Sequence, residues 1–232
     1  APPRTPHLHA VTTRAVHPGP PEFRDRPHAT GTPRRGKGVV PGMAIIHKTT
    51  LTPTKLELVQ AWLPQQPWYA GTGAPALEKA GGFRLDDPEG EVGIEFMVVA
   101  DTSGDAPVAY HVPLTYRGAP LDGAGGEALV GTAEHGVLGK RWVYDGVRDP
   151  LLVDQVRELL RGRAVPQAQS LTDTPAPTVE PWLDETLARD GGDLDLDFVR
   201  VLREGPAEGR GGVVAGWGEA SRGLFVRLRD AR

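Results

Sequence analysis

The chain has 232 residues and a formal net charge of −4, and its 30 glycines and 23 prolines predict many turns. Cysteine is absent, which excludes disulfides, thiolate nucleophiles and cysteine-ligated zinc. No apolar run reaches the roughly 18 residues of a membrane span, and no charged-then-apolar start resembles a signal peptide. We therefore expect a cytoplasmic protein that does not associate with membranes.

The charge is unevenly distributed along the chain. Residues 1–42 hold seven Lys or Arg and two Asp or Glu, a balance of +5, so the remaining residues carry −9. An acidic body argues against nucleic-acid binding, because phosphate contacts need clustered cations. Residues 1–42 also contain nine prolines and no apolar periodicity. This composition predicts a disordered leader or an extended gene model, with Met43 as the native start.

The first predicted elements are a short strand and a helix. Ala44–Thr50 is sufficiently apolar and β-branched for a short strand. Thr52 or Thr54 can cap a helix that starts near Pro53 and ends at Pro64. Apolar residues recur along it at helical spacing and predict one buried face. These residues are Leu56, Val59, Trp62 and Leu63.

Two strand-like runs with a turn between them lie in the middle of the chain. Residues 91–101 and 108–117 are rich in β-branched and aromatic residues, and the connection between them predicts a β-hairpin. Pro113 cannot donate to a sheet, so its strand is predicted to have an edge position or a bulge there. His111 is predicted to be a half-exposed strand histidine, although a histidine can also titrate near neutral pH. Further strands are predicted at 80–86, 129–135 and 139–145.

The second half of the chain begins with a helix and ends with short strands. Asp149–Pro150 is typical of the N-cap and first residue of an amphipathic helix, which ends near Gly162. Residues 43–169 form the predicted main domain, and 170–193 form a linker. Residues 194–232 are predicted to form a small β-meander packed on the main domain. Its three strands are 195–202, 212–217 and 223–228.

Three segments, in order along the chain, resemble a known family. Leu63-Pro-Gln-Gln-Pro-Trp-Tyr-Ala-Gly71 resembles the Leu-Pro-x-x-Arg-Trp-Phe/Tyr-x-Gly start of the maltokinase N-terminal cap domain, with Pro67 where the family usually has Arg. Tyr110–Arg117 and Gly139–Pro150 resemble its later strand and strand-to-helix segments. The resemblance covers about residues 44–169. This part of the chain is similar to small actinobacterial proteins with a cap-like domain, some of which are labelled 1,4-α-glucan branching proteins.

The resemblance implies an α+β fold, in which a curved antiparallel β-sheet packs on helices as in a cystatin. In full maltokinases the cap precedes a kinase-like lobe that transfers phosphate from ATP to maltose, on a pathway to glycogen-type α-glucans. Such a lobe needs a catalytic-loop Asp with a nearby Asn, and a metal-binding Asp. The chain has no His/Arg-x-Asp-x-x-x-x-Asn run and no Asp-Phe-Gly. We therefore predict no catalytic residues, no metal site and no cofactor.

The leading functional hypothesis is a non-catalytic cap-like module of α-glucan, maltose or trehalose metabolism. It would act through a partner enzyme or by binding a glucan. Aromatic side chains can stack on sugar faces or anchor an interface, but a core role is the default expectation. Exposure of two aromatics on one concave face would favour binding. The candidate binding residues are Trp68, Tyr69, His111, Arg117, Trp142, Tyr144 and Asp145.

Two alternatives are left open by the sequence. One is a degenerate ATP-dependent sugar phosphotransferase or a branching-related enzyme. Glycoside chemistry needs two carboxylates roughly 5–10 Å apart. The other is a structural role, in which apolar strand edges at 91–101 or 195–202 support dimerisation. Candidate carboxylates for the enzyme are Asp86, Asp87, Glu89, Glu91, Asp101 and Asp145.

Overall fold

The computed structural model describes residues 51–169, 176, 178–190 and 192–229. These residues all belong to one compact unit that spans Val40–Arg232. The leader predicted at residues 1–42 and the strand predicted at Ala44–Thr50 lie outside the described residues, and so does part of the predicted linker.

The largest element is a seven-stranded antiparallel sheet that curls into a half-barrel, here called the main sheet. Its strand order is β1-β5-β6-β4-β3-β2-β7. The predicted hairpins are both present, as β3 with β4 and β5 with β6. The strands are β1 (Leu51–Thr52), β2 (Leu77–Leu85), β3 (Gly93–Asp101), β4 (Val108–Arg117), β5 (Leu129–His135), β6 (Gly139–Asp145) and β7 (Gln167–Ala168).

Two capped helices pack on opposite faces of the main sheet. Helix α1 (Lys55–Trp62) begins at Thr54, whose hydroxyl accepts from the backbone N–H of Glu57 while the Glu57 carboxylate accepts from the backbone N–H of Thr54. Helix α2 (Pro150–Leu160) begins at Asp149, as the sequence predicts. Both helices therefore start where a side chain satisfies otherwise unpaired N–H groups. Single 3-10 turns lie at Leu63–Gln65, Gly126–Ala128 and Gly146–Arg148.

A second, four-stranded antiparallel sheet follows, in the order β8-β10-β11-β9. The three predicted C-terminal strands are present, with β11 between β10 and β9. The segment predicted as a linker contributes the fourth strand and a short helix, because β8 pairs with β10 and places Trp182 opposite Gly212. The elements are β8 (Glu180–Leu183), α3 (Glu185–Asp190), β9 (Leu196–Phe198), β10 (Gly211–Trp217) and β11 (Ser221–Leu228).

The register of the central hairpin divides its side chains between two faces. Opposed residues of an antiparallel pair share a face, so Met97 lies with Val112, and Phe96 lies with Pro113. We call the two sides the α1 face and the α2 face, after the helix on each. The core on the α1 face contains Val59, Trp62, Leu63, Met97, Val99, Tyr110 and Val112. The core on the α2 face contains Phe83, Phe96, Val98, Leu152, Val156, Leu159, Val213, Phe225 and Val226.

A short stretch after β9 joins the two sheets. The backbone N–H of His111 donates to Arg200 O at 2.9 Å, and that of Leu202 donates to Ala109 O at 2.8 Å. Strand β4 is therefore interior, not an edge strand. Pro113 is tolerated because β6 pairs with β4 only from Leu114 onward, which leaves a gap opposite the proline nitrogen.

The strand at 91–101, whose edge was a candidate for dimerisation, has no unpaired edge. Strand β3 pairs along its length with β2 on one side and with β4 on the other. Strand β9 is at the edge of the second sheet, but it is only three residues long. None of the helices in the described ranges is long and apolar enough to cross a membrane.

Candidate functional site

Helix α1 covers only half of its face of the main sheet, and the other half forms a cleft. The strand residues under the helix are apolar, whereas those past its N-terminal end are polar or charged. The cleft has a volume of about 260 Å³. Its polar strand residues come from five neighbouring strands and are Arg84, Glu95, Tyr116, His135 and Arg141.

Glu95 lies at the floor of this cleft. It is only 3% exposed, and its neighbours on the same face of β3 are apolar. Its carboxylate accepts from the ammonium of Lys55, from Tyr116 Oη at 2.8 Å and from Gln169 Nε2 at 3.0 Å. A buried carboxylate is costly unless donors surround it. The three donors come from α1, β4 and the segment after β7, so Glu95 ties together three parts of the chain.

Lys55 and Tyr116 form the helix-side wall of the cleft. The Lys55 ammonium lies 4.8 Å from the centre of the Tyr116 ring, a geometry typical of a cation–π contact. Burial and the neighbouring Glu95 carboxylate raise the pKa of the Tyr116 hydroxyl well above its ordinary value. This hydroxyl therefore stays protonated and acts as a donor to Glu95. The Lys55 side chain is 40% exposed, so it can reach both Glu95 and a molecule in the cleft.

The loop between β2 and β3 forms the opposite wall. Asp87 is buried and organises this loop, because its carboxylate accepts from the backbone N–H groups of Glu89, Glu91 and Val92 at 3.1, 2.9 and 2.9 Å. From the sequence alone, Asp87 was one of the candidate catalytic carboxylates. Its hydrogen bonds indicate a loop-stabilising role instead, as expected for Asp in a turn.

The tip of the β5–β6 hairpin closes the third side. Arg141 Nη2 donates to Leu138 O at 3.0 Å, and Arg141 Nε is buried without a hydrogen-bond partner among the described residues. The Nδ1 atom of His135 accepts from the backbone N–H groups of Val137 and Leu138 at 3.3 and 3.1 Å. Leu138 is 45% exposed at the mouth of the cleft, and the adjacent Val137 is 59% exposed outside it.

The described lining of the cleft is almost balanced in charge. The lining includes three Lys or Arg residues and four Asp or Glu residues, together with apolar residues. A second hollow of about 370 Å³ shares three of the lining residues, so the two are parts of one groove along α1. The cations are Lys55, Arg84 and Arg141, and the carboxylates are Asp86, Asp87, Glu91 and Glu95. The shared residues are Leu51, Lys55 and Glu95.

Two of the sequence-predicted binding residues meet at one end of the α1 core. The Arg200 guanidinium lies 4.9 Å from the centre of the Trp68 ring and pairs with Asp145 at 2.5 Å. Trp68 is half-buried and also packs against the rings of Trp62 and Tyr110, at 5.7 and 6.0 Å. Trp68 and Asp145 therefore both contact Arg200, a residue that was not among the candidates from the sequence.

Tyr69 lies beside this group and is also half-buried. Its ring packs against Tyr110 at 5.6 Å, and its hydroxyl donates to Asp101 Oδ2 at 2.9 Å. Burial and the Asp101 carboxylate raise the pKa of the Tyr69 hydroxyl. The contacts of Trp68 and Tyr69 fit the core role that the sequence favoured for both aromatics.

His111 is on the α2 face and is not half-exposed as predicted. It has no exposed surface, because Phe225 of the second sheet packs 4.6 Å from its ring and Phe96 lies on another side at 6.0 Å. Its Nδ1–H donates to Val199 O at 3.0 Å. Burial, together with the Arg200 charge, lowers the pKa of His111 to about 3. The imidazole is therefore neutral at physiological pH, and no ligand reaches it from solvent.

The remaining predicted residues, Arg117, Trp142 and Tyr144, share the α2 face of β4 and β6. Arg117 makes a bidentate pair with Asp149, with both N···O distances at 2.7 Å. Burial alone would raise the pKa of Asp149, but hydrogen bonds from Arg117 and Thr115 hold it below its ordinary value. Tyr144 Oη accepts from the backbone N–H of Leu121 at 2.9 Å.

Trp142 is half-buried, and the Lys140 ammonium lies 5.0 Å from the centre of its ring. The α2-face residues are therefore separated by the sheet from Trp68, Tyr69 and Asp145. The seven predicted residues are divided between the two faces of the sheet, and none of them lines the cleft.

The polar strand residues of the cleft were missed from the sequence, although one signal was present. Asp86, Asp87 and Glu91, which also line it, were candidates only as catalytic carboxylates. Glu95 interrupts the apolar run Gly93–Val99, and a charge within a buried strand is uncommon unless it has a partner. Its partners are far away in sequence and could not be read from spacing. Within the described residues, no three His, Asp or Glu side chains gather as a metal site.

Comparison with known families gives one match. The family model of the maltokinase N-terminal cap domain matches residues 62–149. The matched segment runs from the last residue of α1 to the N-cap of α2 and contains β2 to β6. It confirms the resemblance over this segment, which is less than half of the chain. Comparison with curated proteins gave no match.

Proposed function

We propose, on the premise that residues 62–149 form a maltokinase N-terminal cap domain, that the protein is a non-catalytic module of α-glucan and maltose metabolism. It acts by binding a glucan or through a partner enzyme of the same pathway, such as a kinase-type enzyme. Links to glycogen and trehalose metabolism, a cytoplasmic location and an actinobacterial source belong to the same proposal.

One observation supports this function most strongly. The matched segment supplies Arg84, Glu95, Tyr116, His135 and Arg141, which are the polar strand residues of the cleft. The cap-domain sheet thus carries a concave, partly enclosed site, and such sites are where small molecules bind to proteins. Together with the hollow of about 370 Å³ along α1, its size falls within the roughly 300–1,000 Å³ of known ligand pockets.

The alternative of an ATP-dependent phosphotransferase is less well supported by the same cleft. A triphosphate needs clustered cations or N–H groups to bind it. The described lining instead offers more carboxylates than permanent cations, and the Lys55 ammonium already pairs with Glu95. We therefore favour a neutral ligand or a protein partner over a nucleotide.

A thermal-shift titration of the full chain against maltose, maltoheptaose and Mg-ATP tests the proposal. A ligand at 100 times its dissociation constant adds about 2.7 kcal/mol of stability, which gives a clear rise in melting temperature. We expect a shift with maltoheptaose and none with Mg-ATP. A shift with Mg-ATP, followed by phosphate transfer to maltose, would overturn the non-catalytic assignment.

The partner route is tested separately. Mixing the chain with the catalytic lobe of a maltokinase that lacks its own cap, followed by size-exclusion chromatography, measures complex formation. A stable complex would support action through a partner enzyme. Absence of both a complex and a glucan shift would overturn the proposed function as a whole.

A further inference from the structure

We propose that the cleft beside α1 is a carbohydrate subsite that holds the end of a short, neutral α-glucan through Arg141, Lys55 and Glu95. This inference rests on the proposed function and deepens it, because it names the site and the chemical class of its ligand. Neither the family match nor the sequence patterns assign a ligand to these residues.

The balance of charge indicates a neutral ligand. The described lining includes three Lys or Arg residues and four Asp or Glu residues, and the Lys55 ammonium pairs with the Glu95 carboxylate. An anion or a cation would gain attraction from one set and repulsion from the other. A neutral polyhydroxyl molecule is favoured instead, because each hydroxyl can donate to a carboxylate and accept from a cation.

The apolar part of the lining fits the same class of ligand. Leu51 and Leu138 also line the cleft, beside the polar groups. A sugar ring has apolar C–H faces and a polar edge of hydroxyls, so it matches a wall that combines both. The groove also continues along α1 into the second hollow, which gives room for further sugar units.

Arg141 provides a donor that the fold itself does not use. Its guanidinium is fixed by the bond from Nη2 to Leu138 O, and a Cβ at Gly118 would lie 2.9 Å from Nη1, so the glycine leaves space for the arginine. Its Nε–H is buried without a partner among the described residues. Buried donors without a partner are uncommon and costly. An acceptor oxygen on a ligand would satisfy this group.

Glu95 fixes the opposite side of the site. The carboxylate is held in one orientation by Tyr116 Oη, Gln169 Nε2 and the Lys55 ammonium. A rigid, already oriented floor lowers the entropy lost on binding. Lys55 contributes further donors, because its side chain is 40% exposed and its ammonium has three N–H groups, of which Glu95 needs only one.

The chemical test compares two neighbouring cations on β6. Arg141 faces the cleft, whereas Lys140 projects from the other face of the strand, over Trp142. We expect Arg141→Ala to weaken maltoheptaose binding at least tenfold in isothermal titration calorimetry, and Lys140→Ala to leave it unchanged. Equal affinities for the two variants would overturn the subsite.

The steric test compares two neighbouring residues at the hairpin tip and does not depend on core packing. Leu138 lines the mouth of the cleft, whereas Val137 is exposed outside it. We expect Leu138→Trp to block binding of maltoheptaose and maltotriose, and Val137→Trp to leave both intact, with melting temperatures close to wild type. Both surface changes are well tolerated by folding.

The outcomes separate this inference from the proposed function. If the wild type binds maltoheptaose and Leu138→Trp binds it equally well, the glucan-binding module stands and the cleft is not its site. If the wild type binds no glucan but forms a complex with the catalytic lobe, the subsite is overturned while the partner route stands. A tenfold loss confined to Arg141→Ala and Leu138→Trp supports the subsite.

Discussion

The two faces of the main sheet are built from the same strands but are closed in different ways. On the α2 face, helix α2 and the second sheet cover the strands, and Phe83, Phe96 and Phe225 pack together. On the α1 face, an eight-residue helix covers only the apolar half. The uncovered half carries the buried Glu95 and its donors. One face therefore stabilises the fold, and the other has room for a ligand.

The difference follows from the elements that the chain supplies to each side. Antiparallel strands need only one buried face, so a second fully packed face requires additional elements. The α2 face receives an eleven-residue helix and four strands, whereas the α1 face receives one short helix.

Truncation of an aromatic residue on the α2 face is expected to have the largest effect. Phe225→Ala removes a fully buried ring that contacts His111, Phe83 and Trp217, and it should cost about 3–5 kcal/mol. Leu138→Ala at the mouth of the cleft should change stability by about 0.5 kcal/mol or less. Urea denaturation measures both. Comparable losses would show that the two faces do not differ as described.

The buried His111 should make stability depend on pH. Its pKa of about 3 lies below that of an unfolded histidine, so the unfolded state binds more protons between about pH 6.5 and pH 3. Stability is lost as the pH falls through this window, by about 1.4 kcal/mol per pH unit.

The matched variant is His111→Gln, which keeps a donor for Val199 O but does not titrate. We expect the wild type to lose roughly 2 kcal/mol more than the variant between pH 6.5 and pH 4.5. Urea denaturation at the two pH values gives the comparison. Parallel losses in both proteins would mean that His111 is protonated in the folded state.

The floor of the cleft should show coupling between Lys55 and Glu95. Lys55→Ala leaves the Glu95 carboxylate buried with two neutral donors, but the ammonium is partly exposed and screened by water. We therefore expect a loss of about 1 kcal/mol. In a double-mutant cycle with Glu95→Gln, the two losses should not add. Strict additivity would argue that the pair does not form in solution.

The smallest effect is expected on the open surface of β6. Lys140→Ala removes the exposed ammonium above Trp142, a contact worth about 0.5 kcal/mol at such sites. The melting temperature should therefore change little. A loss above about 1.5 kcal/mol would indicate that this surface is packed more tightly than the contact between Lys140 and Trp142 implies.

Local sequence signals predicted most of the elements. The hairpins follow from alternating apolar residues and turn residues, and both helices begin at capping side chains that the sequence makes visible, Thr54 and Asp149. The ordered motifs around Trp68, Tyr110 and Trp142 gave the cap-domain resemblance, which the family match confirms. These signals are all local, and they depend on residues close together in the chain.

The site was not predicted, because its contacts are distant in sequence. The donors to Glu95 come from positions 40 residues before it, in Lys55, and 74 residues after it, in Gln169. His111 was expected at a half-exposed position, since nothing near it in sequence indicates that Phe225 covers it. Strand β3 is apolar on both faces, so its pattern alone does not tell which side a helix or a second sheet will cover.

The junction between Arg200–Leu202 and β4 also affects when the protein can fold during synthesis. Strand β4 is paired with β3 on one side, and near His111 this segment supplies the partner on its other side. The core on the α2 face also includes residues of β10 and β11. On the ribosome, the cap-domain strands emerge long before these elements. Until then helix α2 alone covers their α2 face, so part of its aromatic core stays exposed, which favours aggregation of the incomplete chain. Long-range pairing of this kind also predicts slow refolding in vitro.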